Sequence, residues 1–428
     1  MRGTSLSILD VSIPTVISWY IILFNYLGFP ILWFSLDPFR SQVLNDQAVI
    51  LELFLFTSAS ITFLYIGFFI ARYMMGPLKL REFFLNRRGK KNNYWSLFIM
   101  LFCLFLSCCL FLYRYMSQIG LDNIPLLVAL DFFPSRDLTR LRSDATNNFE
   151  NQHWNRLFAK ELLIFTTFSI YSLYLFKKTK IKMVLLFISL SVSAFSLTML
   201  GEKAQIMELL IGFLLVYVII NSRSSINLKM LVIFSSISLG IVVPIYYMMM
   251  GSSNFLEALM HVSSRVTTGQ IHPGYVYLTY IPEHRDFLFG TTFPNPGSIF
   301  PFESVTITQE IMAWDNPGEA KLGIVGSMPA MFWVEAFINF GLFSVPIISL
   351  LIGFFLFGVN KLILKLRIDP LVVGLYVWII IFYKNLAISF FSDFFLSIYL
   401  MVVIITFSVM YLFLNKGKIF LSNKNNIL

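Results

Sequence analysis

Arg265, His272 and the run Glu283-His284-Arg285-Asp286 fall close together in a chain otherwise dominated by long runs of Phe, Leu, Ile and Val. A guanidinium is planar and offers parallel N–H donors, which match a pair of phosphate oxygens. An imidazole is suited to proton transfer near neutral pH. Plainer roles stand beside these: Arg265 facing lipid headgroups, His272 as a surface side chain, and 283–286 as a solvated turn. Pro273 and Gly274, directly after His272, predict a turn that holds it. A second basic group lies in "FFPSRDLTRLRSDATNNFENQHW", residues 132–154. If a helix begins at 136, Arg136 and Arg140 share a face at i, i+4 spacing, with Arg142 offset. Such a cluster suits a diphosphate; ordinary exposed pairs among Asp137, Arg142 and Asp144 suit the same residues equally.

A third set interrupts apolar runs. Glu335 has Asn339 four residues on, so both project from one helix face. Glu202 and Lys203 break "MLGEKAQIM", and Lys384 and Asp393 flank a turn where an ion pair is expected. Ionisable groups at such depths cost several kcal/mol unless paired or wet, so each needs a reason to be there.

The elements that must carry these residues follow from composition. The chain has 428 residues, 57% hydrophobic and only 13% charged. A soluble surface needs about twice that share of charge, so part of the solvent here is lipid. Runs long enough to cross a bilayer occur at 15–36, 48–71, 95–113, 157–176, 183–200, 206–221, 230–250, 329–358, 370–388 and 393–414. The expected fold is an all-α integral membrane protein, a bundle of about ten spans within a range of nine to twelve. It forms a single polytopic domain over 1–428. Cys103, Cys108 and Cys109 all sit in one apolar run and read as small buried thiols. The N-terminal run shows no small-residue cleavage site and reads as an uncleaved anchor.

Charge sets the expected orientation. Arg2 and the segments 72–93, 177–182, 221–229, 359–369 and 415–428 hold 20 of the 32 basic residues and, with Asp10 counted beside Arg2, three acids. The alternate segments hold 10 basic and 15 acidic residues. Basic loops stay inside, so both termini are expected in the cytoplasm. The net charge of +9 is then a property of the inner face and does not point to nucleic acid. Two substantial outer loops result, 114–156 and 251–328. The longer is rich in aromatics and proline, and is expected to be partly structured and to fold over the bundle.

There is no D-x-D pair, no G-x-x-x-x-G-K-[ST] loop and no H-E-x-x-H motif. Neither a nucleotide nor a metal is expected, and no cofactor.

The stretch "GSMPAMFWVEAFINFGLFSVPIISLLIGF", together with the two outer loops, resembles the oligosaccharide repeat-unit (O-antigen) polymerases of the Wzy type. The likeness rests on Gly326, Ser327, Pro329, Glu335, Asn339, Phe340 and Gly341, supported by "SRVTTGQ", "FLFGTTFPNP" and "LGEKAQIMELLIGFLLVY". It implies a metal- and nucleotide-independent glycosyltransferase of the GT-C type, in a bacterial inner membrane with its large loops in the periplasm. Such an enzyme moves a growing glycan from undecaprenyl diphosphate onto the next lipid-linked unit. Its partners would be that lipid-linked oligosaccharide, membrane lipid, a chain-length regulator and a flippase. By this likeness Arg265, with Arg136, Arg140, Arg142 and Lys203, would hold the diphosphate. The base would be His272, Glu335 or an acid of 283–286. A ligase of finished glycan or a flippase for the lipid-linked unit are the alternatives. No repeat between the chain halves speaks for a transporter, and the 251–328 loop speaks against a plain carrier.

Overall fold

The computed structural model describes residues 10–78, 80, 83, 94–134, 138–147, 152–201, 203–221, 226, 228–250, 254–323 and 326–424. Among them the regular elements are all helices. Eight described helices are long and apolar enough to cross a membrane: Ile13–Trp33, Gln47–Met75, Trp95–Ile119, Lys180–Thr198, Ala204–Asn221, Ser344–Ile363, Pro370–Ala387 and Ser392–Leu414. Their outward side chains include Leu55, Phe69, Leu110 and Phe187, the inverse of a soluble surface. The protein is a helical, multi-pass membrane protein.

Three expected spans take a different form. The run 329–358 is broken at Gly341, whose φ of 75° stops the helix Phe332–Phe340 before Ser344–Ile363 begins. The run 157–176 starts inside a π-helical turn, Arg156–Leu162, carrying Arg156, Lys160 and Glu161, and continues as Leu163–Phe176. The run 230–250 is a single helix, Leu228–Met250, that carries Pro244 inside it and so lacks one intrahelical hydrogen bond there.

The chain forms two compact units. The first comprises Met1–Lys79, Leu239–Lys365 and Ile380–Ser397. Its main helix pair is Gln47–Met75 against Ser344–Ile363. Asp46 caps the former by accepting from the amides of Ala48 and Val49, and Gly76 at φ 78° ends it. The backbones touch where the helices cross. A Cβ at Gly67 would lie 2.2 Å from the Leu350 carbonyl oxygen, and one at Gly353 would lie 2.1 Å from that of Leu64. Small residues at such a crossing let helices gain close packing that lipid cannot supply.

Much of the expected long loop is helical and belongs to this unit. Asn254 caps Phe255–Val266, and Thr268–Tyr280 follows after a break at Thr267. The second of these packs on Gly28–Trp33 and on Gln47–Met75, and the helix Ile307–Asp315 packs on it in turn. Its Tyr275 hydroxyl accepts from the Asp46 amide at 3.3 Å, and its Tyr277 hydroxyl donates to the Met328 carbonyl at 3.2 Å.

The second unit comprises Leu80–Ser238, Leu366–Ile379 and Ile398–Leu428. Leu163–Phe176 packs against Lys180–Thr198, Lys203–Asn221 and Trp95–Ile119. Polar side chains join these helices: Thr167 and Ser193 hydroxyls lie 2.8 Å apart, and Ser196 donates to the Ala159 carbonyl at 2.6 Å. On Trp95–Ile119, Cys108 is buried as expected, Cys109 is half-buried and Cys103 is exposed.

Candidate functional site

Phe332–Phe340 spans nine residues, about 14 Å of helix, too short to cross a membrane. Every residue in it except Phe340 is buried. Glu335 lies on it with no exposure at all. Its carboxylate accepts from the Thr292 hydroxyl at 2.9 Å, from the Ser392 amide at 2.9 Å, and from the Ser392 hydroxyl. One turn on, Asn339 donates to the Thr292 hydroxyl and to the Glu335 carbonyl, both at 2.8 Å, and accepts from the Gly290 amide at 2.7 Å. The amides of Leu288 and Phe289 donate to the carbonyls of Ile338 and Asn339, so segment 288–292 is stitched to this helix. The i, i+4 pairing of Glu335 with Asn339 is as the spacing predicts. Burial pushes the Glu335 carboxyl upward; the Ser392 hydroxyl and amide and the Thr292 hydroxyl oppose it, the Asp393 charge adds to it, and the result is about 7.

Beside this network lies an apolar cavity of about 460 Å³. Its walls include Phe293, Phe340, Ile352, Phe355 and Phe391, and Ser392 supplies its polar edge. The serine that holds the Glu335 carboxylate therefore also faces a hydrocarbon-lined recess.

Arg265 stands in the last turn of Phe255–Val266, exposed, with no side-chain partner among the described residues. The residues beside it are anchored. Ser264 and Thr268 donate their hydroxyls to the same oxygen of Asp37, which is almost completely buried. The amides of Phe39 and Arg40 donate to its other oxygen at 2.8 and 3.2 Å, and the Arg40 guanidinium donates to Ser264. Burial alone would push the Asp37 carboxyl upward. The hydrogen bonds from Thr268, Ser264 and Phe39, together with the Arg40 charge, outweigh it and hold the carboxyl below its ordinary value. Sequence reasoning missed this anchor, although a lone acid directly after an apolar run was a signal.

His272 is not on a turn. It lies in the second turn of Thr268–Tyr280, with Pro273 inside the helix. The helix accepts the missing amide hydrogen bond because Ile271, Tyr275, Val276 and Tyr277 are buried by it, a tertiary gain that overrides local turn preference. His272 Nε2 sits 3.4 Å from Asp315 Oδ2, close enough for an ion pair when protonated but without hydrogen-bond alignment. It is not joined to Glu335. In the 283–286 run, Arg285 is salt-bridged to Glu310, so this segment is more than a solvated turn.

In the second unit, Arg140 and Arg142 are exposed on the helix Leu138–Asn147, and Lys203 opens Lys203–Asn221. Arg136 and Asp137 lie outside the described residues. Arg156, which the sequence did not single out, lies 4.7 Å over the Tyr399 ring, whose hydroxyl is 2.9 Å from His153 Nδ1. Lys384, in the first unit, is buried, donating to the Asn385 side chain at 2.6 Å and lying 4.8 Å over the Tyr20 ring.

Among the described residues no group of three or more His, Cys, Asp and Glu side chains has an arrangement that suits a metal ion. Comparison of the chain with protein-family models, with curated proteins and with solved structures returned no match.

Proposed function

We propose that this protein polymerises lipid-linked oligosaccharide repeat units, transferring a growing glycan from undecaprenyl diphosphate to the terminal sugar of the next unit. The observation that carries this reading is the Glu335 carboxyl, poised near neutrality and held by Ser392 at the edge of an apolar cavity. A transfer between two lipid-borne sugars needs a proton acceptor beside a recess for hydrocarbon, and this is such a pair. In the proposed step the acceptor hydroxyl gives its proton to Glu335 by way of the Ser392 hydroxyl. The acceptor oxygen bonds to the anomeric carbon as the bond from that carbon to the diphosphate oxygen breaks. The departing diphosphate keeps the electron pair, and Arg265 binds its charge. The sites would face the periplasm, as the distribution of basic residues predicts.

The test is deletion of the gene in its host, with surface glycolipid resolved by gel. A core bearing one repeat supports polymerisation. A naked core replaces the proposal with a ligase or flippase, and an unchanged ladder refutes all three. Arg265→Ala at equal protein level should abolish long chains; chains of normal length would remove the arginine from this role.

A further inference from the structure

Tyr280, His284 and Trp314 bring three rings together at the surface of the first unit. Tyr280 closes the helix Thr268–Tyr280, His284 follows it by four residues, and Trp314 lies on Ile307–Asp315. The Tyr280–Trp314 centroids are 5.2 Å apart, those of His284 and Trp314 5.5 Å, and those of Tyr280 and His284 5.6 Å. The planes meet at 62°, 47° and 47°, so no two rings are stacked face to face. Trp314 keeps 43% of its surface exposed, and His284 is exposed as well.

A fixed polar edge adjoins the rings. Glu310, one helical turn before Trp314, accepts the Tyr280 hydroxyl on Oε1 at 2.8 Å and the Arg285 guanidinium on Oε2. Each partner leaves that carboxylate further lone pairs and the guanidinium further donors. Glu310 and Arg285 are both about one-third exposed, so these groups remain within reach of a ligand. The cluster is held on helix, turn and helix, and none of its residues lies in a membrane-spanning helix.

Ring faces beside a preset acceptor and donor match the chemistry of a sugar. A pyranose has a face of C–H groups that gains by covering an aromatic ring, and a rim of hydroxyls that pair with carboxylate and guanidinium. We infer that Tyr280, His284 and Trp314, with Glu310 and Arg285, form a carbohydrate-binding platform that seats one sugar ring of a glycan. It rests on the proposed function for which glycan it meets, but its binding requires no turnover. It also assigns a role to the 283–286 run, whose residues touch neither Glu335 nor Asp37 among the described contacts.

The experiment titrates one soluble repeat unit, released from the host's surface polysaccharide by mild acid, into the full-length protein in lipid nanodiscs. Sugar-headed detergents are excluded because they would compete. Saturation-transfer NMR and equilibrium titration should both detect wild-type binding. Trp314→Ala should weaken it about tenfold or more, the scale expected for losing one aromatic face. Trp314→Phe should retain most of the affinity, which separates loss of the ring from loss of the fold. Glu310→Gln should cost several-fold. Equal affinity of wild type and Trp314→Ala overturns the inference, as does absence of wild-type binding. Quenching of Trp314 by brominated acyl chains would likewise overturn it, because the rings would then be a membrane-interface belt. Gel analysis of the deletion strain tests polymerisation separately, so either idea can fail while the other stands.

Discussion

Asp37 and Glu335 are two carboxylates of the first unit, both essentially removed from solvent and both held by hydroxyls and backbone amides. Their ionisation moves in opposite directions. Asp37 has two hydroxyl donors, two amide donors and the Arg40 charge, and its carboxyl is held low. Glu335 has two hydroxyls and one amide, with the negative Asp393 nearby, and its carboxyl rises to about 7. Burial is the largest influence on each, so burial does not decide the outcome; the donor count and the sign of the nearest charge do. One carboxylate is held in its anionic form by its donors and joins the helix ends around Arg265. The other can exchange a proton at neutral pH, as a base must.

The largest effect that divides them is expected from Glu335→Gln. Gln keeps the size and an acceptor but cannot take a proton, so the proposed chain polymerisation should fall by about 10²–10⁴-fold. The melting temperature in detergent should not fall, and above pH 7 it should rise, since no charge is then buried. Retained long chains would leave Glu335 a structural group like Asp37 and remove it from the mechanism. Asp37→Asn should do the reverse. Its oxygen can keep the Phe39 and Arg40 amides, but its NH2 replaces the anionic acceptor of Ser264 and Thr268 and removes the negative charge beside the Arg40 guanidinium, a loss of about 1–3 kcal/mol. Melting should drop steeply, and a drop within experimental scatter would deny that Asp37 anchors these helices.

Stability against pH supplies the next effect. Folded Glu335 holds its proton up to about pH 7, whereas the unfolded chain releases it near 4.5. Between those values the folded state binds more protons, so stability falls as pH rises, by up to about 3 kcal/mol, and levels off above 7. Asp37 has the opposite sign, losing stability only as pH falls below the ordinary carboxylate range. Thermal unfolding from pH 4.5 to 8 should therefore show a decline in wild type that Glu335→Gln abolishes. A decline of equal size in the variant would assign it to other groups.

The sequence made one half of this comparison visible. Glu335 and Asn339 are four residues apart, and helical periodicity alone puts them on one face. Their hydroxyl partners were not legible, because Ser392 lies 57 residues from Glu335 and Thr292 lies 43 away. Asp37 was harder still, since it meets Ser264 across 227 residues. Hydropathy identifies the long apolar helices, eight of which, among the described residues, are long enough to cross a membrane, but it did not show the π-helical turn that opens 157–176 or the break at Gly341. Local rules failed where burial competed with them. Pro273 reads as a turn but is carried in a helix by its buried neighbours, and Gly341 reads as part of a span but interrupts it.

The smallest effects sharpen the comparison most. Thr292→Val removes one hydrogen bond from Glu335, and Ser264→Ala removes one from Asp37. Each should cost about 1–2 kcal/mol of stability, the usual scale for a buried hydrogen bond whose partner stays behind. Their effects on pH dependence should differ. The Thr292 bond lowers the Glu335 carboxyl, so its loss raises a value already near 7. Activity that needs ionised Glu335 should then appear at higher pH, and the acid limb of its profile should shift to the alkaline side. The Ser264 bond also lowers its carboxylate, but Asp37 starts below the ordinary value and keeps other donors. It remains ionised at neutral pH, so Ser264→Ala should leave the acid limb in place. Equal shifts from both substitutions, measured as polymer length against buffer pH, would mean that the two carboxylates are not divided into anchor and base.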